Sequence, residues 1–326
     1  MSKHQNQRTI GILTSGGDAP GMNSVIRAVA RAALFKGFRV IGVRRGYNGL
    51  LTGDMFEMNI RSVSEIIHRG GTVLYTDRCL EFATPEGVAE AVNVCKEKGI
   101  DSLVTIGGDG TFRGARDLCE HGLSCIGIPG TIDNDIACSE YTIGYDTALN
   151  TAMEMVDKLR DTTMSHNRCS VVEVMGHRSG YLAVSTGVAC GALTIIVPEL
   201  SYDFERDVIE RMVRTQKTGK RHFIIVMAEG CGSAYELAKQ IEDRTGIVTR
   251  ATMLGHVQRG GTPTNRDRVM ASRMGFHAVK LLEAGASNRV VAYKHGTITD
   301  FDITEALDMT KTIDKDLLEM SEMISI

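Results

Sequence analysis

The sequence predicts an α/β protein built from two similar doubly wound domains, each a three-layer α/β/α sandwich. Three observations lead there. Short apolar runs alternate with longer amphipathic segments almost throughout, the pattern of parallel sheets covered on both faces by helices. The βα units number eight or more, too many for one small open sheet. The glycines are many and the prolines few, 35 against 5 in 326 residues, and the glycines cluster where a strand hands over to a helix. A closed eightfold barrel is the alternative, but its strands should recur more evenly.

In chain order, residues 9–14 (TIGILT) read as a buried strand, followed by glycines and a helix over 21–36. The next strand is 39–43. Residues 102–106 (SLVTI) form a strand running into GGDGT, then a helix to about residue 120. A short strand at 124–128 leads into PGTIDND, and a helix follows over 146–161. The second half repeats the rhythm, with strands at 169–174, 193–197, 223–228 and 289–292. Its helices fall near 180–190, 204–218, 234–245 and 265–284. No low-complexity linker marks a domain boundary, so the chain is expected to cross between domains more than once.

Composition narrows the function classes. Hydrophobic residues make up 43% and charged residues 24%, with a net charge of −3, so the chain is no globally basic nucleic-acid binder. No apolar run approaches the roughly 20 residues needed to span a bilayer. The polar start MSKHQNQRT lacks a signal-peptide apolar region. The expectation is a cytoplasmic protein without nucleic-acid or membrane partners. None of the eight cysteines forms a C-x-x-C pair, so they read as reduced thiols, most of them in apolar runs.

The chemistry is expected beyond the carboxyl ends of the strands, where open α/β sheets bind ligands. TSGGDAPGMN (14–23) lets backbone approach a phosphate at a helix start. In IGGDGT (106–111), Gly107, Gly108 and Gly110 surround Asp109, whose carboxylate can take a Mg²⁺ bridging phosphate oxygens. Neither a Walker A loop nor a G-x-G-x-x-G dinucleotide fingerprint is present in these strings. In PGTIDND, Asp133 and Asp135 are two residues apart, and in extended backbone they face one side. Their repulsion is tolerable where a metal, an arginine or a substrate hydroxyl shares the load. A carboxylate beside a nucleophilic hydroxyl can accept its proton. The plain alternative is an Asx-rich turn bonding its own backbone. Arg168, Arg250, His256 and Arg259 are candidates to hold an anionic substrate. His177 and Arg178 follow a strand and precede a glycine, a ligand-facing position.

Taken in order, TSGGDAPGMN, IGGDGT, PGTIDND, SHNR, EVMG, IVPE, RATMLGHVQRGGTP and ASRMG closely resemble the bacterial ATP-dependent 6-phosphofructokinase family, over about residues 9–318. That resemblance implies two similar α/β domains with the active site between them, in a homotetramer. ATP would bind residues 1–143 plus about 257–307, and fructose 6-phosphate residues 144–256 plus about 308–326. Gly17, Gly108, Gly110 and Thr111 would contact ATP phosphates, Asp109 would bind Mg²⁺, and Arg78 and Cys79 would also reach the nucleotide. Asp133 would be the base toward the sugar's 1-hydroxyl, with Thr131 beside the transferring group and Asp135 orienting the site. Glu229, Met175 and Gly176 would hold the sugar. Arg259 and His256 would bind its phosphate, joined by Arg168 and Arg250 of a neighbouring subunit.

Family members that use pyrophosphate carry Asp where Gly110 stands and Lys where Gly130 stands, so the resemblance favours ATP. Other readings are a pyrophosphate-dependent or broader ketose-phosphate kinase, and a non-catalytic regulatory subunit on this fold. Lipid and dinucleotide kinases share a GGDGT-like loop but lack the PGTIDND and GHVQRGG partners. The resemblance also implies an effector site for ADP or phosphoenolpyruvate, matched by Arg27, Arg31, Arg160, Lys220, Arg221 and His222. The sequence departs from the family at three places. His177 stands where an arginine is usual, with Arg178 next. Leu193 replaces the carboxylate that would meet the effector's Mg²⁺. Ile60 replaces an arginine, with Arg61 one step on. Weakened ADP activation is the expectation.

Overall fold

The computed structural model describes residues 7–325. Eleven strands run in chain order. They are β1 (Thr9–Thr14), β2 (Arg39–Val43), β3 (Met55–Met58), β4 (Ser102–Gly107), β5 (Ser124–Pro129), β6 (Cys169–Val174), β7 (Thr194–Ile196), β8 (Phe223–Ala228), β9 (Thr249–Met253), β10 (Arg289–Lys294) and β11 (Thr297–Asp302). They form a seven-stranded sheet, β11-β10-β5-β4-β1-β2-β3, and a four-stranded sheet, β7-β8-β6-β9.

The chain divides into two compact units. One takes the residues up to Ile132, then Ile136–Thr147 and Arg259–Lys311; the other takes Asp133–Asp135, Ala148–Gln258 and the segment from Thr312. The second unit thus interrupts the first twice and also takes the segment that follows it, so the chain crosses between them repeatedly.

The first unit holds the larger sheet. Strands β1 and β4 are buried along their whole length, as parallel strands covered on both faces must be. The helix Met22–Phe35 packs on Asn265–Glu283 so closely that a Cβ on Gly275 would lie 2.8 Å from the Ala28 Cβ. The expected all-parallel sheet needs correction at its edges, because β3 pairs antiparallel with β2, and β11 antiparallel with β10. His295 and Gly296 both adopt positive φ, 50° and 78°, which makes the two-residue turn that a right-twisted hairpin needs.

The second unit's four strands are all parallel. Its core gathers Val171, Leu193, Phe223, Ile225 and Ile241 between sheet and helices. The helix expected over 204–218 is not uniform. It winds as a π-helix over Phe204–Glu210, capped by the Asp203 carboxylate, and as an α-helix over Arg211–Gln216. Among the described residues no helix is long and apolar enough to cross a membrane.

Candidate active site

In the first unit, β1 has β4 on one side and β2 on the other, so the strand order reverses there. Such a switch point opens a crevice at the carboxyl ends of the strands. Thr14 lies in register with Ile106, and Gly107 with Pro129. The three glycine-bearing loops therefore leave the same end of three adjacent strands.

Their mutual fit explains the residue choices. The Ser15 N–H donates to the Ile106 carbonyl at 3.0 Å, and the Thr111 hydroxyl donates to the Ser15 carbonyl at 3.2 Å. A Cβ on Gly107 would stand 2.2 Å from the Thr111 Oγ1 and 2.4 Å from the Ser15 oxygen, so no side chain fits. By contrast, Cβ atoms on Gly108 and Gly110 would meet nothing within 4 Å. Packing does not demand those glycines; they leave open space. Asp109 sits in the first turn of the helix Asp109–Glu120, where the N-terminal dipole favours negative charge. Arg78 and Cys79 follow a segment fastened to the first loop, since the Thr76 hydroxyl donates to the Gly16 carbonyl at 2.6 Å. Arg259 belongs here too: its Nη1 donates to the Asp18 carbonyl at 3.2 Å, and a Cβ on Gly17 would fall 2.1 Å from that nitrogen.

Thr131, buried at 8% exposure, is held through its main chain, with the Thr142 hydroxyl donating to its carbonyl at 2.7 Å. The segment that supplies Thr142 is itself anchored by Asp267, which sequence reasoning missed. Asp267 is fully buried and accepts from the Tyr141 hydroxyl at 2.5 Å, the Gly144 N–H at 2.8 Å, and the Thr147 N–H and hydroxyl at 2.9 and 2.5 Å. Burial holds its carboxyl above the usual carboxylate range, against the pull of those donors. Its position inside an amphipathic helix carries no motif, though a carboxylate three residues after Thr264 at a helix start gave a faint capping signal. Replacing Asp267 by Ala is expected to cost about 3 kcal/mol, because several donors would lose a charged acceptor together. Denaturant unfolding monitored by circular dichroism checks this, and a midpoint equal to the parent's would mean that the anchor is dispensable.

In the second unit β6 is the switch strand, flanked by β8 and β9. Val174 pairs with Ala228, and Glu173 with Met253, so Met175–His177, Glu229 and His256 follow the same ends of three neighbouring strands. Glu229 Oε1 accepts from the Gly176 N–H at 3.2 Å and the His177 N–H at 2.6 Å. His177 is exposed with φ 58°, a left-handed turn that aims its backbone N–H at that carboxylate. Gln258, fully buried and also missed, steadies Met175 by accepting its N–H at 3.4 Å. Asp133 is buried at 8% exposure, and the Ser179 hydroxyl bonds to its backbone carbonyl at 3.2 Å. Asp135 follows as a half-buried residue.

Arg168 and Arg250 are not brought to this end. Arg168 precedes β6 and Arg250 is the second residue of β9, in register with Ser170, so both stand at the opposite end of the strands from Glu229. Of the basic effector candidates, Arg160, Lys220 and His222 lie together. Lys220 is pushed down by burial and by Arg160, and His222 by burial, Lys220 and Arg160. Arg221 is exposed beside them in sequence, and Arg27 and Arg31 lie on the helix Met22–Phe35 of the other unit. Leu193 is buried at 1% exposure in the core, whereas Ile60 is exposed.

The family model described as Phosphofructokinase matches residues 9–282. An ATP-dependent 6-phosphofructokinase of Clostridioides difficile (strain 630) is 54% identical over 319 residues, 98% of this chain and 100% of its own. One of Clostridium botulinum (strain Hall) is 53% identical over 318 residues, 98% of this chain and 99% of its own. The solved phosphofructokinase of Saccharomyces cerevisiae superposes with a TM-score of 0.87 at 34% identity over 92% of this chain, which spans 45% of that longer one.

Proposed function

Because this chain belongs to the phosphofructokinase family, we propose that it transfers the γ-phosphoryl group of MgATP to the 1-hydroxyl of fructose 6-phosphate, giving fructose 1,6-bisphosphate and ADP. The observation that carries the reading is the meeting of three glycine-bearing loops at one switch point, with open space at Gly108 and Gly110. Backbone N–H groups of Gly17 and Gly108–Thr111 would cradle the phosphates, with Arg78 and Cys79 flanking the nucleotide. Asp109 fits a magnesium ion, because that cation takes one or two carboxylates and completes its shell with phosphate oxygens and water. When bound, the ion neutralises charge on the phosphate chain.

Asp133 takes the proton from the 1-hydroxyl as it attacks, Thr131 lies beside the transferring group, and Asp135 orients the site. Met175, Gly176, His177 and Glu229 hold the sugar, and His256 and Arg259 its phosphate. Either Arg178, one residue on, supplies a guanidinium's fixed positive charge to the phosphates, or His177 itself protonates beside them. Arg168 and Arg250, at the far end of their own strands, complete the site of a second copy in a homotetramer. The chain works in the cytoplasm, where this step of glycolysis runs.

Arg160, Lys220, Arg221 and His222 of one unit, and Arg27 and Arg31 of the other, are the residues that would meet an anionic effector such as ADP or phosphoenolpyruvate. Leu193 offers no carboxylate to that effector's magnesium, so activation by ADP is weak. An initial-rate assay with fructose 6-phosphate and Mg²⁺ tests the whole reading. Turnover is expected with ATP and not with pyrophosphate, with a shallow response to added ADP. Turnover with pyrophosphate alone would overturn the donor assignment, and none with either would favour a regulatory subunit.

A further inference from the structure

In the first unit, residues 64–80 run between two short helical turns, Ile60–Val63 and Glu81–Ala83, without a strand or helix of their own. Connections longer than about 12–15 residues are uncommon in compact domains and are usually functional. This one carries Arg78 and Cys79 near its far end, and it holds an uncommon course. Gly71 has φ 64° and Tyr75 φ 57°, both left-handed. For an exposed aromatic such as Tyr75 that conformation persists only where the surroundings fix it.

The fixing groups come from β1, the first loop and the helix Met22–Phe35. Asn23, 1% exposed, closes the string TSGGDAPGMN. Its amide nitrogen donates to the Arg69 and Gly70 carbonyls, both at 3.0 Å, and its oxygen accepts from the Val73 N–H at 2.8 Å. Both amide hydrogens are thus taken by this segment, so Asn23 has none to offer a ligand. Beside it the Ser24 hydroxyl donates to the Ile67 carbonyl at 2.8 Å. The Thr14 hydroxyl donates to the Tyr75 carbonyl at 2.8 Å, so the hydrogen in its 2.9 Å contact with Thr72 belongs to the Thr72 hydroxyl. Residues 67–75 are therefore held at several points. Thr76 ties the next stretch: its hydroxyl donates to the Gly16 carbonyl at 2.6 Å, across 60 residues of chain.

We propose that Thr76 is a positioning residue for the nucleotide, acting through Arg78 and Cys79. It pins the chain, two residues before Arg78, to the loop that carries Gly17. The inference rests on the assignment of Gly17, Arg78 and Cys79 to ATP, and adds what sets the spacing between them. Without the Thr76 hydroxyl, Asn23, Ser24 and Thr14 still hold the upstream residues, so only the stretch bearing Arg78 and Cys79 comes loose from the first loop. ATP must then order that stretch as it binds, and its affinity falls by the cost of doing so. The sugar's contacts, assigned to the second unit, lose nothing.

Cys79 is half-buried and serves as a native reporter. The full chain is alkylated with iodoacetamide over a range of MgATP, without sugar, and each cysteine is read by peptide mapping. MgATP is expected to slow the alkylation of Cys79. In Thr76→Val, close in shape but without the hydroxyl, half-protection should need about three- to tenfold more MgATP, the worth of one hydrogen bond. Thr76→Ser keeps the hydroxyl and should return to the parent's value. In the kinetic assay KM for ATP should rise by the same factor in T76V, without a matching rise for fructose 6-phosphate. Equal half-protection in parent and T76V, or no recovery in T76S, would overturn the positioning role and leave the nucleotide assignment standing. Faster labelling of half-buried Cys119 in T76V would mark a general loosening of the unit and overturn it as well. No protection of Cys79 in the parent would remove that residue from the nucleotide, and the inference would fall with that reading.

Discussion

Asp133→Ser is expected to lower turnover with ATP and fructose 6-phosphate by about 10²–10⁴-fold, the usual worth of a positioned general base, while KM for both substrates changes little. The split follows from the role. Removing a proton acceptor raises the barrier of the chemical step without touching ground-state contacts. The structure favours a clean outcome, because the Ser179 hydroxyl holds Asp133 by its backbone carbonyl, a contact that the substitution leaves in place. Steady-state kinetics with both substrates varied makes the measurement. A near-normal turnover number would remove Asp133 from the role of base and turn attention to Asp135. A large rise in KM at unchanged turnover would make it a binding residue instead.

Gly110→Asp is expected to reduce kcat/KM for ATP by roughly 100-fold or more, the effect of a like-charge encounter worth a few kcal/mol. Folding should survive. A Cβ at this position would meet nothing within 4 Å, and the residue lies in a helix first turn that favours a carboxylate. On the proposed reading, what the new carboxylate would meet is the phosphate chain of ATP. Initial rates over a range of ATP, with the unfolding midpoint as control, separate the two effects. An unchanged kcat/KM would mean that the phosphate chain does not pass Gly110, and the loop's assignment would fall. A collapsed midpoint would mean that the open space belongs to a packed neighbour.

The parallel strands were legible because burial on both faces leaves continuous apolar runs such as TIGILT and FIIVMA. The glycine loops were legible because close backbone contact admits only one residue type, as Gly107 shows. Three strands were not. β3 is only MFEM, and β9 begins TRATM with an exposed arginine, so neither shows a usable period. β11 is half-exposed and polar, yet His295-Gly296 before it was a hairpin signal that went unread. The helix Pro85–Glu97 was also passed over, although Thr84 followed by Pro85 is a plain start: the Thr84 hydroxyl accepts the Gly87 N–H at 3.1 Å.

At the candidate site, sequence reasoning found residues that would touch ligand and missed those that hold them. Asp267 and Gln258 are of this second kind. Their partners lie far along the chain, Tyr141 and Thr147 for one and Met175 for the other, and no local pattern reports such a pairing. Gln258 stood inside GHVQRGG, but that string was read for its cations. The opposite placement of Arg168 and Arg250 from Glu229 depends on strand register, which becomes visible only once β6 and β9 are paired.

The Asp267 anchor also has a consequence for the order in which the chain is made. Tyr141, Gly144 and Thr147 leave the ribosome more than a hundred residues before their acceptor, and β10, which flanks β5, comes later still. The strands β6 to β9 are contiguous in the chain and need nothing from residues 259–311 to pair. Domains gather as units during synthesis, so the second unit's sheet can assemble while the first unit still lacks its anchor. The segment behind Thr131 is then among the last to be fixed. A nascent chain would then complete the four-stranded sheet first and fix the segment around Thr131 only near the end of translation.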